Sequence, residues 1–233
     1  MKRNLLIIAT ILFPVITLVL GNYFERMYQR EKIASAKIHI YPMEKTFIEP
    51  DEVAGLIQLN DSLNQHVQID EIERKLEEND YIENAEVYKD LNGHLVADVE
   101  QYKPIARFMG NRSFYIDKDG KRKPLSKHYT ERVMLVFGEL NPADSEGVID
   151  LIQQIYKDKF LNNEIAEIHL KNNRKAVLKA TGKPGDFILD ITKENIENQL
   201  FKLKTMLLYL QEEKVAKNYK IYDFRYKNQV VCK

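Results

Sequence analysis

The chain has 233 residues, which at roughly 150 residues per domain allows one large or two small domains. Its 35 Lys and Arg balance 35 Asp and Glu, which argues against a protein devoted to neutralising nucleic-acid phosphates, and 44% hydrophobic with 30% charged residues exclude a disordered chain. The one cysteine, Cys232, excludes an intramolecular disulfide.

Met1-Lys2-Arg3-Asn4 leads into a stretch without charge from Leu5 to Gly21. Continued through Phe24 it is about 20 residues long, and at ~1.5 Å per residue it matches the ~30 Å hydrocarbon core of a bilayer. Pro14 kinks such a helix rather than breaking it, since Thr10 and Thr17 can take up freed backbone groups. A cleaved signal peptide is the competing reading, with Lys2 and Arg3 as its positive start. No A-x-A site closes the apolar run, however, and Ala34-Ser35-Ala36 comes too late. Residues 1–24 are therefore expected to be a short cytoplasmic tail and an uncleaved transmembrane helix. Arg26, Arg30 and Lys32 offset the positive N-terminus, so the orientation is set by size: long C-terminal domains translocate largely regardless of nearby charge. The body is expected outside the cytoplasm, after a polar linker over 25–36.

From Lys37 the pattern predicts a strand with Ile38 and Ile40 on one side, then a helix opened by Glu49-Pro50-Asp51 and faced with Val53, Leu56 and Ile57. Asp70 with Glu73 predicts a capping-box start to a second helix, striped by Ile69, Ile72 and Leu76. Alternating runs, Ala85 and Val87, then Leu95, Ala97 and Val99, flank the hairpin signal Asn92-Gly93. The expected module is β-α-α-β-β over 37–103, two helices on three strands, with no internal cleft for an active site.

A mixed α and antiparallel β domain is expected over 104–233. Strands are predicted around Ile105–Met109, Phe114–Ile116 and Val133–Phe137, with turns at Gly110-Asn111 and Asp119-Gly120. Val148, Leu151, Ile152 and Ile155 fall at i, i+3, i+4 and i+7 of a helix. Strands near Ile165–Leu170, Ala176–Ala180 and Phe187–Ile191 follow, then a helix from Lys193 to Gln211 burying Ile196, Leu200, Leu203, Leu207 and Leu210. The last predicted strand runs from Tyr219 to Val231.

Patterns for catalysis and cofactors are missing. His39, His66, His94, His128 and His169 are scattered singly, without ligand spacing for a metal. Ser126 lies two residues before His128, but outside any nucleophile elbow. Asp117-Lys118-Asp119-Gly120 begins like a calcium loop and lacks its later ligands, so a turn explains it. Lys118, Lys121, Arg122 and Lys123 read as a solvated turn, with an anionic surface as the alternative. The expectation is a protein without catalytic residues, cofactor, metal or nucleic-acid partner. In the terminal strand Tyr222, Phe224 and Tyr226 alternate with Asp223, Arg225 and Lys227, and Val230 and Val231 continue the apolar character. Such a strand at a sheet edge either is protected or pairs with a partner strand.

Four stretches resemble the FtsQ/DivIB family of bacterial cell-division proteins: IDEIERKLEENDYIENAEVYKDLNGHLVADVEQYKPIARF, FYIDKDGKRKPLS, IENQLFKLKTMLLYL and YKIYDFRYKNQVVCK. The resemblance implies one membrane anchor, a POTRA module over 37–103 and a β domain. It also implies a non-enzymatic divisome scaffold at the septum of the plasma membrane, with its body periplasmic or otherwise extracytoplasmic. FtsB and FtsL are the implied partners, and regulation of septal peptidoglycan synthesis the implied role. Strand addition by FtsB carries onto Arg225, Tyr226, Asn228, Gln229 and Val230, and other divisome proteins onto the exposed face around the Ile69–Glu78 helix. The chain departs from the family at Asp90-Leu91-Asn92-Gly93, where a Pro-containing turn is common, and at Gln101-Tyr102-Lys103, where Glu-Arg is frequent. Two other readings stay open, a POTRA protein of outer-membrane assembly or secretion and an anchored envelope hydrolase using Ser126 and His128.

Overall fold

A computed structural model of the chain describes residues 16–17, 19–21, 36–57, 69–110, 112–140, 144–171, 174–192, 196–212, 219–227 and 229–233. Most of the predicted membrane span and of the 25–36 linker lies outside these residues. Ile16, Thr17 and 19–21 are helical, and among the described residues no helix is long and apolar enough to cross a membrane. The chain divides into two units, residues 1–101 and 102–233.

The first unit contains β1 (Ala36–Tyr41), α1 (Pro50–Ile57), α2 (Ile69–Glu77), β2 (Ile82–Lys89) and β3 (Leu95–Gln101), the expected order. The strands lie as β1-β3-β2, β1 parallel and β2 antiparallel to β3. Pro50 starts α1 where a missing N–H costs nothing, and the Glu52 carboxylate reaches back to Glu49 N at 3.2 Å. Val53, Ile57 and Leu76 of the helices meet Ile40, Val87, Leu95 and Val99 of the strands in one core.

The capping box predicted at Asp70 is corrected. α2 already begins at Ile69, which leaves Asp70 inside the first turn, and Glu73 accepts instead from Val87 N at 2.7 Å. Glu77 likewise accepts from Ala85 N at 3.4 Å. β2 is an edge strand, and the acidic face of α2 supplies acceptors for its outward N–H groups. Gln101, 4% exposed, accepts from Phe47 N and Ile48 N and donates to the carbonyls of Tyr41 and Lys45, pinning the coil after β1.

The second unit contains β4 (Pro104–Met109), β5 (Phe114–Asp117), β6 (Arg122–Lys123), β7 (Met134–Phe137), α3 (Ser145–Lys157), α4 (Lys159–Glu164), β8 (Ile165–Lys171), β9 (Lys175–Ala180), β10 (Asp186–Asp190), α5 (Ile196–Glu212), β11 (Ile221–Asp223) and β12 (Val231–Cys232). Nine strands form one sheet in the order β12-β11-β10-β9-β8-β7-β4-β5-β6. The sheet is mixed rather than antiparallel: β4 with β7, β7 with β8 and β10 with β11 run parallel. α3 and α5 turn the predicted stripes, Val148, Leu151, Ile152 and Ile155, then Ile196, Leu200, Leu203 and Leu207, onto Phe108, Val136, Ile168, Leu178 and Phe187. Leu210 is only partly buried.

α3 approaches the end of β10 so closely that a Cβ on Gly147 would lie 2.1 Å from Ile191 O. The short α4 was not predicted. It is capped by Asp158, which accepts from Phe160 N at 2.9 Å and Leu161 N at 3.2 Å and is held below the usual carboxylate range chiefly by the Lys204 ammonium.

Candidate partner-binding site

The predicted single strand from Tyr219 to Val231 is two short strands joined by a turn. β11 lies inside the sheet, and β12 folds back antiparallel on its far side to become the edge. The inner side of β11 is parallel to β10, with Asp186 opposite Ile221, Phe187 opposite Tyr222 and Ile188 opposite Asp223. Asp186 N donates to Lys220 O and Phe224 N to Ile188 O, each at 2.9 Å, extending this seam by a residue at both ends.

Packing fixes β11 from the helix-covered face. The Tyr222 ring stacks on Phe187 at 5.2 Å, and Phe224 tilts against the same ring at 6.4 Å. Both Tyr222 and Phe224 are buried. Gly185, with φ +112, passes under Tyr222, where a Cβ would come within 3.0 Å of the ring.

On the opposite face, where the alternation with Tyr222 and Phe224 places it, Asp223 is 8% exposed. Arg225 satisfies it in a fork, Nε to Oδ1 at 2.8 Å and Nη2 to Oδ2 at 2.6 Å, while Arg225 N also donates to Oδ1 at 3.2 Å. That guanidinium holds the Asp223 carboxyl below its ordinary range, with burial opposing. The chain then leaves the sheet through an exposed turn. Lys202, reaching from α5, donates its ammonium to Phe224 O at 2.7 Å and Tyr226 O at 2.6 Å.

β12 returns with Cys232 opposite Tyr222 and Val231 opposite Asp223. Lys233 O accepts from Lys220 N at 2.8 Å and Ile221 N at 3.0 Å, and Lys233 N donates to Ile221 O at 3.0 Å. Val230 and Cys232, both on the helix-covered side, are partly buried against the core, and burial pushes the Cys232 thiol up. The arrangement can present backbone groups to an extended peptide; it holds no constellation for bond making.

The five residues predicted to bind a partner therefore separate. Tyr226 and Gln229 are exposed on the turn, Arg225 is committed to Asp223, Val230 points into packing, and Asn228 lies outside the described residues. Lys202 and Lys233 were missed, the first because its alignment with the turn depends on a contact 22 residues away. On the Ile69–Glu78 face, Asp70, Glu71, Arg74 and Lys75 are exposed, whereas Glu73 and Glu77 serve β2. In the loop after β6 the Ser126 hydroxyl accepts from His128 N at 3.0 Å, a local turn contact. Among the described residues no group of three or more His, Cys, Asp or Glu could hold a metal ion.

A family model described as FtsQ/DivIB, C-terminal related, matches residues 103–233, more than half of the chain. A POTRA-like domain model matches residues 37–100. No curated protein matches. Among solved structures, the chain is similar to the major extracytoplasmic domain of the trans isomer of the bacterial cell division protein DivIB from Geobacillus stearothermophilus. That similarity has 12% identity over 48% of this chain and 97% of that chain, with a TM-score of 0.35.

Proposed function

The chain belongs to the FtsQ/DivIB, C-terminal related family, and we propose from this premise that it is a non-enzymatic scaffold of the bacterial division machinery. Residues 5–24 anchor it in the plasma membrane, and the POTRA-like and β domains stand outside at the septum. FtsB and FtsL are captured by strand pairing at the β11–β12 end of the large sheet, and through them the scaffold regulates septal peptidoglycan synthesis. The supporting observation is that β12, the last strand of the family-matched unit, forms the edge of its sheet. Backbone pairing of this kind gives affinity with little demand on side-chain chemistry. Deletion of residues 219–233 from the full chain should abolish co-purification of FtsB and FtsL. Undiminished capture by the deleted chain would refute this function for the terminal strands.

A further inference from the structure

We infer that the outer edge of β1 is a contact between two copies of the chain, each β1 pairing antiparallel with the other about His39 and joining the two small sheets into one of six strands. The contact uses neither β11 nor β12 and is independent of the strand pairing proposed above. Four strands stand at sheet edges, and three of them are short or already served. β6 and β12 have 2 residues each. β2 gives its outward Val87 and Ala85 N–H groups to Glu73 and Glu77. β1 has 6 residues and pairs on one side only, with β3, and among the described residues no side chain accepts from its backbone N–H groups. An edge of that length without a guard is a template for a further strand.

The side chains of β1 say what that further strand is. In Lys37-Ile38-His39-Ile40-Tyr41 the apolar residues are placed symmetrically about His39, the self-complementarity that a two-fold contact requires. With His39 opposite its own copy, Ile38 of one chain stands opposite Ile40 of the other, and Lys37 opposite Tyr41. Opposed residues share a face, so both isoleucine pairs lie on the helix side, where Ile40 is in the core and Ile38 is only partly buried against it. The second copy completes the burial of Ile38. A slip of one residue would set Ile38 against His39 and Lys37 against Ile40, mixing the two faces. On the other face Tyr41, 46% exposed, is covered by the Lys37 stem of the second copy, whose ammonium stays on Asp90. The two imidazoles meet at the axis, each donating from Nδ1 to its own Asp98 at 2.8 Å. Asp98 also accepts from the Tyr88 hydroxyl at 3.2 Å, so a carboxylate held in place flanks each histidine and balances charge at the axis. Five residues a side make a small contact, and the association therefore depends on concentration.

The test is a cysteine scan of the full chain in a neutral detergent, with Cys232→Ser removing the native thiol. Residues opposite in an antiparallel pair have Cα atoms roughly 4.5–5.5 Å apart, inside the range a disulfide spans. Two copies of residue 37, four positions out of register, lie on the order of 13 Å apart. His39→Cys should therefore give an intermolecular disulfide under mild oxidation, at least tenfold more than Lys37→Cys or Tyr41→Cys alone. Mixed in equal amounts, the Lys37→Cys and Tyr41→Cys chains should crosslink to each other. In sedimentation the parent chain should form a dimer that grows with concentration. His39→Lys, which sets two ammonium groups opposite each other at an exposed position, should weaken that dimer at least tenfold with an unchanged thermal melt. Equal crosslinking at all three positions, no product between the Lys37→Cys and Tyr41→Cys chains, or a folded His39→Lys chain that dimerises as well as the parent overturns the contact.

Discussion

Replacing Lys202 with methionine tests whether the turn before β12 is held from α5. The ammonium donates to Phe224 O at 2.7 Å and to Tyr226 O at 2.6 Å. Hydrogen bonds to charged groups typically contribute ~1.5–3 kcal/mol each. Two effects reduce the sum. The contact to Tyr226 is exposed, so water can replace the ammonium there, and burial already pushes the Lys202 pKa down, a desolvation cost set against the bonds. The pair together should contribute ~1–2 kcal/mol, a factor of roughly 5–30 in the opening equilibrium of the turn. Methionine keeps the apolar stem, so the loss isolates the charged contacts. Because both bonds end on the turn, the effect is local. Hydrogen exchange at the amides of Lys220, Ile221 and Lys233, which join β11 to the tail, should accelerate by that factor, while amides of β9 and β10 keep their protection. Unchanged exchange at these three amides in a folded Lys202→Met chain would show that the turn stands without the lysine.

Asp223 gives the tail a pH dependence of defined sign. Arg225 keeps its carboxyl below the unfolded value, so its contribution is present above the ordinary aspartate range and is lost as pH falls through the folded pKa. Tail protection should therefore drop on acidification from about pH 5 downward, and Asp223→Asn should flatten that drop while starting lower at neutral pH. Two helical glycines should respond to alanine with opposite signs in urea midpoint. Gly55 in α1 has nothing within 4 Å of a new Cβ, so Gly55→Ala should stabilise the first unit by ~0.5–1 kcal/mol. Gly147 would place that atom 2.1 Å from Ile191 O, and an overpacking cost of ~1–3 kcal/mol or more should outweigh the propensity gain in the second unit. Gln101→Ala removes the partner of four backbone groups, and at ~1–3 kcal/mol per buried group left unsatisfied it should strip exchange protection from Phe47 and Ile48.

What the sequence made legible was what local chemistry decides. The stripes of α3 and α5 bury the residues that their spacing selects, because one apolar face on a sheet is the only way to hide them. The hairpin turns were legible for the same reason. In Asp90-Leu91-Asn92-Gly93 and Asp117-Lys118-Asp119-Gly120 the first carboxylate accepts from the N–H two and four residues on, and the glycine adopts φ near +80. What escaped depends on distant partners. Glu73 has the spacing of a capping box, yet an unpaired N–H on β2 outbids the helix start. α4 is six residues, too short to show a period. The break after Asp223 carries no Gly or Pro; the alternation of Tyr222, Asp223 and Phe224 continues into Tyr226 as if one strand ran on. The chain turns there because Arg225 folds back on Asp223 and Lys202 binds two carbonyls, contacts that no local pattern announces.

The two ends of the large sheet differ in a way that favours the β12 end, rather than the β6 end, as the proposed place for strand pairing. Each terminates in a strand of 2 residues, so neither offers a long ladder as it stands. Beyond β6 the chain is fastened: Arg122 lies 4.7 Å over the Phe114 ring and Lys123 lies 5.6 Å over Tyr102. Tyr102 OH donates to Pro124 O at 3.0 Å, and Tyr115 OH accepts from Glu131 N at 3.0 Å. Opening the β6 end would break these ring and hydroxyl contacts together. At the other end Val230 and Cys232 hold β12 to the core from one side, and among the described residues no strand lies beyond it in the sheet. By the same argument, substitution of Arg122 and Lys123 by serine should leave the proposed capture of FtsB and FtsL unchanged, measured beside the 219–233 deletion as the opposite case.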